Sequence, residues 1–500
     1  MSNSESILQV ENYSLEFPSG EGRFLAVNDI SFEIKKGEVV ALVGESGSGK
    51  SVTGLSAMKL INNNADASSS GKFSFKSTGG WVDLLNIEEP KMRKIRGKEI
   101  AMIFQEPMSS LNPGLRCGEQ ISEALRLHLQ MNRSDAHKRT ISLFEEVGLS
   151  NPERVYKKYP NQISGGQKQR VLIAMAVCCN PRLLIADEPT TALDTGVRKK
   201  VLDSIKLAKD KYELSILFIT HDLDLAAHIA DRVLVMYAGK IVEEGSMDSI
   251  FNHPKHPYTK GLINCRPPKT DRYYFLPTIE DFMRLSADGK SMAMADDTNL
   301  NDLLNSLKIK TTDRIKRHQR LYQERPIIQV KSLSKTFSTP SVWFGKSARF
   351  IAVNDVSFDL FAGETLGLLG PSGCGKTTLA RSIIGLYQNY DGQVLFRNKN
   401  NGEYHPIKAL DKIGKKVQYI FQDPYASLDP RMTIGETLME PLAIHQPEMS
   451  SSQHQNRIVE LLIKVGLKPF HMERYPHEFS GGQRQRICIA RALLLEPEVL

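Results

Sequence analysis

The chain carries one ordered series of sequence blocks twice, and this repeat constrains the fold more than any other feature. The paired blocks, in chain order, are 26–32 (AVNDISF) with 352–358 (AVNDVSF), 44–51 (GESGSGKS) with 370–377 (GPSGCGKT), 103–107 (IFQEP) with 420–424 (IFQDP), and 164–167 with 480–483 (both SGGQ). The spacing between equivalent positions changes only from 326 to 316 residues, as surface loops of different length would produce. Four matching blocks in the same order indicate that one domain is duplicated.

Length and composition are typical of a globular protein with several folded units. Of the 500 residues, 41% are hydrophobic and 24% are charged, which excludes a wholly disordered chain. The longest apolar runs, such as residues 171–179, are about half as long as a membrane-spanning helix requires, so we expect no such helix. The net charge of +8 allows contact with an anionic membrane surface or with nucleic acid but requires neither.

The N-terminus and the cysteines predict a reducing compartment. Residues 1–6 do not combine a basic patch with an apolar core, so we expect no secretory signal. The six cysteines form neither a CxxC pair nor a metal-ligand spacing. Free thiols are therefore expected.

The repeat predicts domain boundaries at residues 7–250 for the first copy and 326–500 for the second, with residues 251–325 between them. The intervening segment begins with prolines and aromatics and continues as polar sequence. We interpret its basic run at 308–320 (KIKTTDRIKRHQR) as a solvated linker helix. A membrane-surface or nucleic-acid patch is the alternative.

Alternating apolar and helix-compatible segments predict an α/β fold with a parallel core sheet. Short apolar runs suited to buried parallel strands occur at 39–43, 183–186, 216–219 and 366–369. A helix is predicted over 197–209, and residues 115–177 are expected to form a mostly helical inserted subdomain.

Both copies contain a glycine-rich loop between a predicted strand and a predicted helix. Residues 44–51 fit the pattern GxxxxGK[ST], in which glycines let backbone N–H groups turn toward phosphate oxygens. Lys50 is expected to hold the β- and γ-phosphates and Ser51 to hold Mg²⁺, and in the second copy the same roles go to Lys376 and Thr377. The loop residues assigned to nucleotide binding are Gly44, Gly47, Gly49, Lys50 and Ser51 in the first copy, and Gly370, Gly373, Gly375, Lys376, Thr377 and Thr378 in the second. A single match could arise by chance, but two matches in a duplicated context argue against chance.

The predicted strand at 183–186 ends in two acids, Asp187 and Glu188. A carboxylate at the carboxyl end of a parallel strand beside the phosphate loop suits Mg²⁺ binding, which we assign to Asp187. Glu188 is expected to act as the base, or to orient the attacking water, at the γ-phosphate. His221 follows another apolar strand and could meet the same phosphate. Two acids can also simply cap a strand end, but the upstream phosphate loop favours the catalytic interpretation.

Together with the SGGQ segments and residues 191–194 (TALD), these motifs resemble the nucleotide-binding domain of ATP-binding-cassette (ABC) ATPases. The resemblance covers both copies. It implies two P-loop NTPase domains, each with a parallel core sheet, an antiparallel β subdomain and an inserted helical subdomain. It also implies ATP and Mg²⁺ as cofactors.

The resemblance implies a role for each matching residue. Phe17 and Phe337 correspond to the aromatic residue that stacks on adenine. Gln105 and Gln422 correspond to the glutamine that senses the γ-phosphate, contributes to the Mg²⁺ site and faces the membrane partner. His221 corresponds to the histidine that contacts the γ-phosphate, and Asp194 to the aspartate that communicates across the dimer.

The SGGQ segments correspond to the signature that clasps ATP bound to the opposite domain. Its assigned residues are Ser164, Gly166 and Gln167 in the first copy and Ser480, Gly482 and Gln483 in the second. Small residues before a helix give free N–H groups and a helix dipole directed at an anion. Head-to-tail pairing of the two copies within one chain would create two composite sites, and covalent linkage favours such pairing.

The second copy does not include its own acids within the 500 residues. Ser164 precedes Asp187 by 23 positions, so the equivalent aspartate would fall near position 503 and the equivalent of His221 near 537. We therefore interpret the sequence as part of a longer chain. As written, only the first composite site can be catalytically complete.

Three features resemble the oligopeptide/dipeptide importer subfamily, with glutathione or microcin-type peptide importers as members. They are residues 104–113 (FQEPMSSLNP) with 421–430 (FQDPYASLDP), residues 253–262 (HPKHPYTKGL), and the absence of a fused transmembrane region. Residues 253–262 could instead be a rigid linker or, with two histidines, a weak metal site. Only Cys265 follows that segment, so no iron–sulfur cluster is implied.

The subfamily resemblance implies an ATP-hydrolysing motor subunit on the cytoplasmic face of the inner membrane, bound peripherally. It implies two transmembrane permease subunits as partners and a solute-binding protein that acts with them, with no specific nucleic acid. Two alternatives stay open. One is a soluble tandem ABC ATPase that acts on ribosomes or nucleic acid through the basic linker, and the other is an exporter ATPase.

Overall fold

The computed structural model divides the chain into two compact units, Met1–Ile309 and Lys310–Leu500. The residues it describes are 5–19, 22–61, 66–105, 110–191, 193–266, 272–276, 278–279, 283–285, 292–294, 305–339, 348–371, 373–399, 401–407 and 414–500.

A six-stranded sheet forms the centre of the first unit. Its strands, in spatial order, are Lys240–Ser246, Arg232–Tyr237, Val39–Val43, Ser215–Thr220, Leu183–Asp187 and Ile100–Ile103. The last five run parallel, and Lys240–Ser246 pairs antiparallel at the edge. The three central strands are buried along their whole length, as expected for parallel strands covered on both faces.

The two faces of the core sheet contact different layers, because successive side chains of a strand point to opposite sides. Leu184 and Ala186 pack into a cluster with the inserted helices. Leu183 and Ile185 pack into a second cluster with an antiparallel β subdomain. One strand therefore joins both layers of the unit and ends at the acids Asp187 and Glu188.

The remaining elements of the first unit form those two layers and the connections between them. The antiparallel subdomain consists of Gly22–Lys35, Ser6–Ser19, Ser68–Ser77 and Gly80–Asp83, in spatial order. The helices are Lys50–Ala57, Glu89–Ile95, Cys117–Leu129, Arg133–Glu146, Pro152–Tyr156, Gly165–Val177, Thr195–Tyr212, Leu223–Ile229, Met247–Asn252 and Pro257–Asn264. A 3₁₀ turn spans Pro160–Gln162, and a short hairpin pairs Met283–Leu285 with Met292–Met294.

The second unit repeats the antiparallel and helical layers. Its antiparallel sheet has the spatial order Ala348–Leu360, Ile328–Thr339, Asp391–Arg397 and Tyr404–Pro406. Its helices are Thr311–Leu321, Lys376–Ile383, Pro424–Ser427, Ile434–His445, Ser451–Lys464 and Gly481–Leu493, with 3₁₀ turns at Pro469–Glu473 and Pro476–Glu478.

The core sheet of the second unit differs from the sequence prediction. Residues 366–369 are not paired as a strand, and the side chain of Leu369 is 92% exposed. In the first unit the equivalent strand Val39–Val43 lies between Ser215–Thr220 and Arg232–Tyr237, and the described residues of the second unit form no counterpart of those two neighbours. An apolar run becomes a strand only when partners hydrogen-bond with it, so the local prediction of a strand is wrong here.

A single parallel β-bridge is nevertheless present among the described residues of the second unit. Val417 bridges Val499 in parallel, and the equivalent positions Ile100 and Leu183 pair in the first unit. The described part of the second unit therefore starts the same core sheet in the same register.

Three helical predictions agree with the structure. The helix predicted over 197–209 is Thr195–Tyr212, and the segment 115–177 is mostly helical. The basic run at 308–320 forms most of the helix Thr311–Leu321, which has no buried residue, as expected of a solvated helix. Among the described residues, no helix combines the length and apolar character needed to cross a membrane.

Candidate active site

The phosphate loop of the first unit wraps around the ammonium of Lys50. The Lys50 Nζ donates to the carbonyl oxygens of Gly44 at 2.8 Å and Glu45 at 2.6 Å, and to Ser48 Oγ at 3.2 Å. Gly49 caps the following helix with φ of 104°, a left-handed conformation that favours glycine. Burial lowers the pKa of Lys50, and the charges of Glu188, Asp187 and Glu45 oppose that shift. The loop thus presents a buried cation at the N-terminus of a helix, the arrangement that binds phosphate.

The second loop reproduces this geometry. Lys376 Nζ donates to the carbonyl oxygens of Gly370 at 2.7 Å and Pro371 at 2.8 Å, and Gly375 caps its helix with φ of 99°. Gly47 and Gly373 also share a positive φ. The two differ in burial, since Lys50 is 4% exposed whereas Lys376 is only partly buried and Thr377 is exposed. The duplicated sequence therefore builds the same loop twice.

Ser51 and Asp187 place two hard oxygen donors beside the first loop. Ser51 Oγ donates to Asp187 Oδ1 at 3.0 Å. Burial raises the pKa of Asp187 to about 6, the Ser51 hydrogen bond lowers it, the Glu188 charge raises it and Lys50 lowers it.

This donor pair fits Mg²⁺. Such an ion is usually held by one or two carboxylates and completed by water and substrate phosphates. Among the described residues there is no group of three or more His, Cys, Asp or Glu side chains able to hold a metal on their own.

Glu188 lies at the centre of a second hydrogen-bonded group. Its Oε2 accepts from Gln105 Nε2 at 3.3 Å and from Thr191 Oγ1 at 2.8 Å, and its Oε1 lies 3.0 Å from His221 Nδ1. The backbone N–H of Glu188 donates to the carbonyl of Ile219 at 2.9 Å, which ties the end of one strand to its neighbour. Three separate chain segments thereby bring Gln105, Glu188 and His221 together.

Electrostatics keep the Glu188 carboxylate charged. Burial raises its pKa, but the hydrogen bonds from His221 and Thr191 and the charges of His221 and Lys50 outweigh burial and leave the pKa below its ordinary value. The hydrogen bond to Glu188 raises the pKa of His221, against the opposing effect of burial. An ionised carboxylate beside the phosphate loop can accept a proton or orient a water molecule.

Sequence reasoning did not assign a role to Thr191. Its hydroxyl stands three residues after Glu188 and holds one carboxylate oxygen. The signal that could have identified it is a hydroxyl side chain directly after the strand end, where the chain turns back.

The signature segments form helix caps in both units. Ser164 Oγ accepts from the Gln167 N–H at 3.3 Å, and the Gln167 side chain accepts from the Ser164 N–H at 3.1 Å. Ser480 and Gln483 repeat this reciprocal pair at 3.3 and 3.0 Å. Such capping boxes fix where the signature helix begins.

The signature glycines and Asp194 have different surroundings. A Cβ on Gly166 would lie 2.5 Å from Val197 Cγ1, so a larger residue would force the Val197 side chain or the signature helix to shift. A Cβ on Gly482 would meet nothing within 4 Å. Asp194 caps the packed helix by accepting from the Val197 N–H at 3.0 Å.

The predicted adenine-stacking residues lie at equivalent places in the two antiparallel sheets. Phe17 pairs with Phe24 across neighbouring strands, and Phe337 pairs with Phe350. Phe337 also forms a T-shaped pair with Tyr387, with ring centroids 5.4 Å apart.

The remaining assigned residues lie in the second unit or in the segment after Gln105. Gln422 is exposed and follows the segment that begins at the Val417 bridge, and Thr378 lies inside the helix Lys376–Ile383. Residues 106–109, part of the segment used for the subfamily resemblance, lie outside the described residues.

Alkylation of Cys374 is expected to weaken nucleotide binding at the second loop on the order of tenfold (~1.4 kcal/mol). Cys374 is exposed, and its Sγ lies 3.7 Å from Lys376 Nζ, so an adduct would occupy space above the loop. We expect ATP to slow the reaction with iodoacetamide, as followed by mass spectrometry of the labelled peptide. The four buried cysteines should react more slowly, and Cys374→Ser should bind nucleotide normally after treatment. Unchanged binding after complete modification of Cys374 would contradict this prediction.

Comparison with known proteins agrees with the geometry in indicating an ATP-binding protein. Residues 27–191 and 353–500 match the ABC transporter family, and residues 242–285 match the C-terminal region of oligopeptide/dipeptide transporters. The chain is 41% identical over 498 residues to the glutathione import ATP-binding protein GsiA of Pectobacterium atrosepticum, covering 99% of this chain and 76% of that protein. It is 41% identical over 504 residues to the protein of the same name from Salmonella choleraesuis, covering 100% and 77%.

Among solved structures, the dimeric bacterial ABC transporter cassette MJ0796 is 27% identical and covers 48% of this chain and 99% of that one, with a TM-score of 0.43. The two family matches together span more than half of the chain, and each contains one of the two phosphate loops. The chain therefore belongs to the ABC transporter family of ATP-binding proteins, with two ATP-binding cassettes in one polypeptide.

Proposed function

We propose that this protein is the ATP-hydrolysing motor subunit of an ABC importer for glutathione, dipeptides or oligopeptides. The observation that carries the motor assignment is the Glu188 carboxylate, held by Gln105, Thr191 and His221 beside the Lys50 loop. The import assignment rests on the oligopeptide/dipeptide transporter region at residues 242–285 and on the relatives named as glutathione import proteins.

The first site has a residue for each requirement of phosphoryl transfer. Lys50 and the loop N–H groups bind the β- and γ-phosphates, and Ser51, Asp187 and Gln105 would hold Mg²⁺, which neutralises phosphate charge when bound. Glu188 orients the attacking water and accepts its proton, while His221 and Gln105 contact the γ-phosphate. Phosphoryl transfer needs little covalent help, so positioning and charge stabilisation account for most of the catalysis.

We further propose that the two cassettes pair head to tail. Ser480, Gly482 and Gln483 would then complete the site of Lys50, and Ser164, Gly166 and Gln167 would complete the site of Lys376. Asp194 would communicate across this pairing, and Phe17 and Phe337 would stack on adenine. Support comes from the capping boxes, which begin each signature helix at the equivalent residue of its own cassette. We retain residues 7–250, 251–325 and 326–500 as the functional divisions of the chain.

The proposed partners are two transmembrane permeases at the cytoplasmic face of the inner membrane, together with a solute-binding protein. ATP binding closes the cassettes, and the Gln105 and Gln422 segments transmit the closure to the permeases. Hydrolysis assisted by Glu188 then releases the cassettes. Each helical subdomain has its own cluster of buried apolar residues, which supports its moving as a unit.

Reconstitution tests the function and its direction together. The protein would be purified from its native membranes with associated permeases and placed in vesicles with the cassettes on the outside and the proposed solute-binding protein enclosed in the lumen. With ATP outside, import corresponds to ATP-dependent loss of labelled glutathione or dipeptide from the vesicle lumen, with a Lys50→Ala variant as the inactive control. Accumulation in the lumen would indicate an exporter. Sedimentation with ribosomes and no permease would support the nucleic-acid alternative.

A further inference from the structure

We propose that Tyr258, in the segment after the first cassette, is a positioning residue for the phosphate loop of that cassette. Its hydroxyl would fix one peptide of the loop and thereby raise the affinity for ATP. This inference rests on the proposed function, because it assumes that the loop around Lys50 binds ATP.

The central contact joins positions 213 residues apart. The backbone N–H of Glu45 donates to the Tyr258 hydroxyl at 2.8 Å. The carbonyl of the same residue, Glu45, accepts from Lys50 Nζ at 2.6 Å. Both backbone polar groups of Glu45 are thus engaged: the N–H by Tyr258 and the carbonyl by Lys50. Tyr258 therefore acts on Lys50 through one residue.

Hydrogen bonds at residues 255–258 hold Tyr258 in place. The Glu243 side chain accepts from the N–H groups of Lys255 at 2.8 Å and His256 at 3.0 Å. His256 Nδ1 accepts from the Tyr258 N–H at 3.2 Å and caps the helix Pro257–Asn264. These bonds set both the start and the direction of the helix that carries Tyr258.

The ring of Tyr258 is anchored on the core sheet. Its side chain is fully buried, and its ring centroid lies 4.3 Å from that of Tyr237. Tyr237 follows Met236, whose carbonyl oxygen would be 2.1 Å from a Cβ on Gly44. The end of the strand Arg232–Tyr237 thus contacts both Gly44, the first glycine of the phosphate loop, and Tyr258.

This arrangement fixes the loop before nucleotide arrives. A loop that binds phosphate through its N–H groups gains affinity when those groups are already oriented, because less ordering is required on binding. The Glu45 N–H is directed at Tyr258, and the Glu45 carbonyl accepts from the Ser48 N–H at 3.2 Å, so this part of the loop is held by bonds on both sides of Glu45. Burial raises the pKa of the Tyr258 phenol, so the hydroxyl stays protonated at neutral pH.

The test is Tyr258→Phe in the full chain, which keeps the ring and removes the hydroxyl. A Lys376→Ala background confines the titration to the first loop. We expect ATP to bind about tenfold more weakly, which corresponds to ~1.4 kcal/mol. The KM for ATP should rise by a similar factor while kcat changes less than about twofold, because the hydroxyl does not touch the reacting atoms.

Tyr156→Phe is the matched control. It removes the hydroxyl of another buried tyrosine, one that bonds to Ser122 and Glu119 within the helical subdomain. It should lower the melting temperature without changing ATP affinity. A second measurement follows the Glu45 amide, which should exchange with solvent slowly in the unmodified protein and faster in Tyr258→Phe.

The outcomes separate this inference from the proposed function. If Tyr258→Phe binds ATP normally while Lys50→Ala loses binding, the positioning role is wrong and the motor function stands. If Lys50→Ala also binds normally, the proposed function is wrong. Equal losses of affinity in Tyr258→Phe and Tyr156→Phe, or a Glu45 amide that exchanges as fast as an exposed one, would also overturn the inference.

Discussion

Glu188→Gln is expected to lower the ATPase rate of the 500-residue chain by about 10²- to 10⁴-fold, the range that a positioned general base contributes. ATP binding should stay within about twofold of the unmodified protein, because Glu188 is assigned to the chemical step rather than to holding the phosphates. The reason lies in the contacts of Glu188. An amide has the size of the carboxylate and can keep bonds to Thr191 and His221, but it carries no charge and cannot accept the proton of the attacking water.

The same substitution should change the titration of His221. The hydrogen bond to Glu188 raises the pKa of the imidazole, so His221 stays protonated to higher pH than an ordinary histidine. In Glu188→Gln the negative charge is lost and any remaining bond is to a neutral amide, so the pKa of His221 should fall. Histidine signals in an NMR titration would show the shift, and an unchanged pKa would mean that residues 188 and 221 are not in contact in solution.

Glu146→Gln is the matched control for activity. Glu146 lies in the helical subdomain and pairs with Arg139 at 3.0 Å and Lys211 at 2.9 Å. Its replacement should reduce stability but leave phosphate release unchanged. Normal phosphate release by Glu188→Gln would remove Glu188 from the hydrolytic step. A loss of ATP binding in the same variant would assign it to binding instead.

Much of the first site could be predicted from sequence because its signals are local. The phosphate loop is a run of eight residues, and Asp187 and Glu188 lie where a buried strand ends. The topology of a parallel sheet then places strand ends at one edge, where loop and acids meet.

Contacts that depend on tertiary packing could not be predicted in this way. The bond from Glu45 to Tyr258 spans 213 positions and is not marked by a local motif. The failure at residues 366–369 has a related cause, since these residues have the composition of a strand but lack both neighbours in the second unit. A hydrophobic pattern shows that a segment is able to form a strand, but the strand forms only if neighbouring strands are present to hydrogen-bond with it.

Gly49→Ala is expected to destabilise the first unit by about 2–5 kcal/mol and to abolish nucleotide binding there. Two effects combine at this position. Its φ of 104° is strained for any residue with a Cβ, and that Cβ would lie 2.6 Å from the carbonyl oxygen of Ala26. A backbone oxygen cannot move aside as a flexible side chain can.

The repeat supplies independent support for this geometry. Gly375 has φ of 99°, and its Cβ would lie 2.2 Å from the carbonyl oxygen of Ala352. Ala26 and Ala352 are equivalent positions of the AVND blocks. In each copy the last glycine of the phosphate loop therefore packs against the equivalent strand of its own unit. This contact explains why the AVND block and the phosphate-loop block occur together.

Two other glycines allow the cost of the strained φ to be separated from the cost of the steric contact. Gly47 has φ of 86°, but a Cβ there would meet nothing within 4 Å, so Gly47→Ala should cost only the backbone strain, about 1–3 kcal/mol. Gly79 has neither a strained φ nor a close neighbour, so Gly79→Ala should leave stability nearly unchanged. Unfolding in urea can be followed through Trp81, which lies in the first unit, with Trp343→Phe as the background. A Gly49→Ala variant no less stable than Gly47→Ala would mean that the Ala26 strand yields to the methyl group, and that the loop tolerates more movement than its contacts indicate.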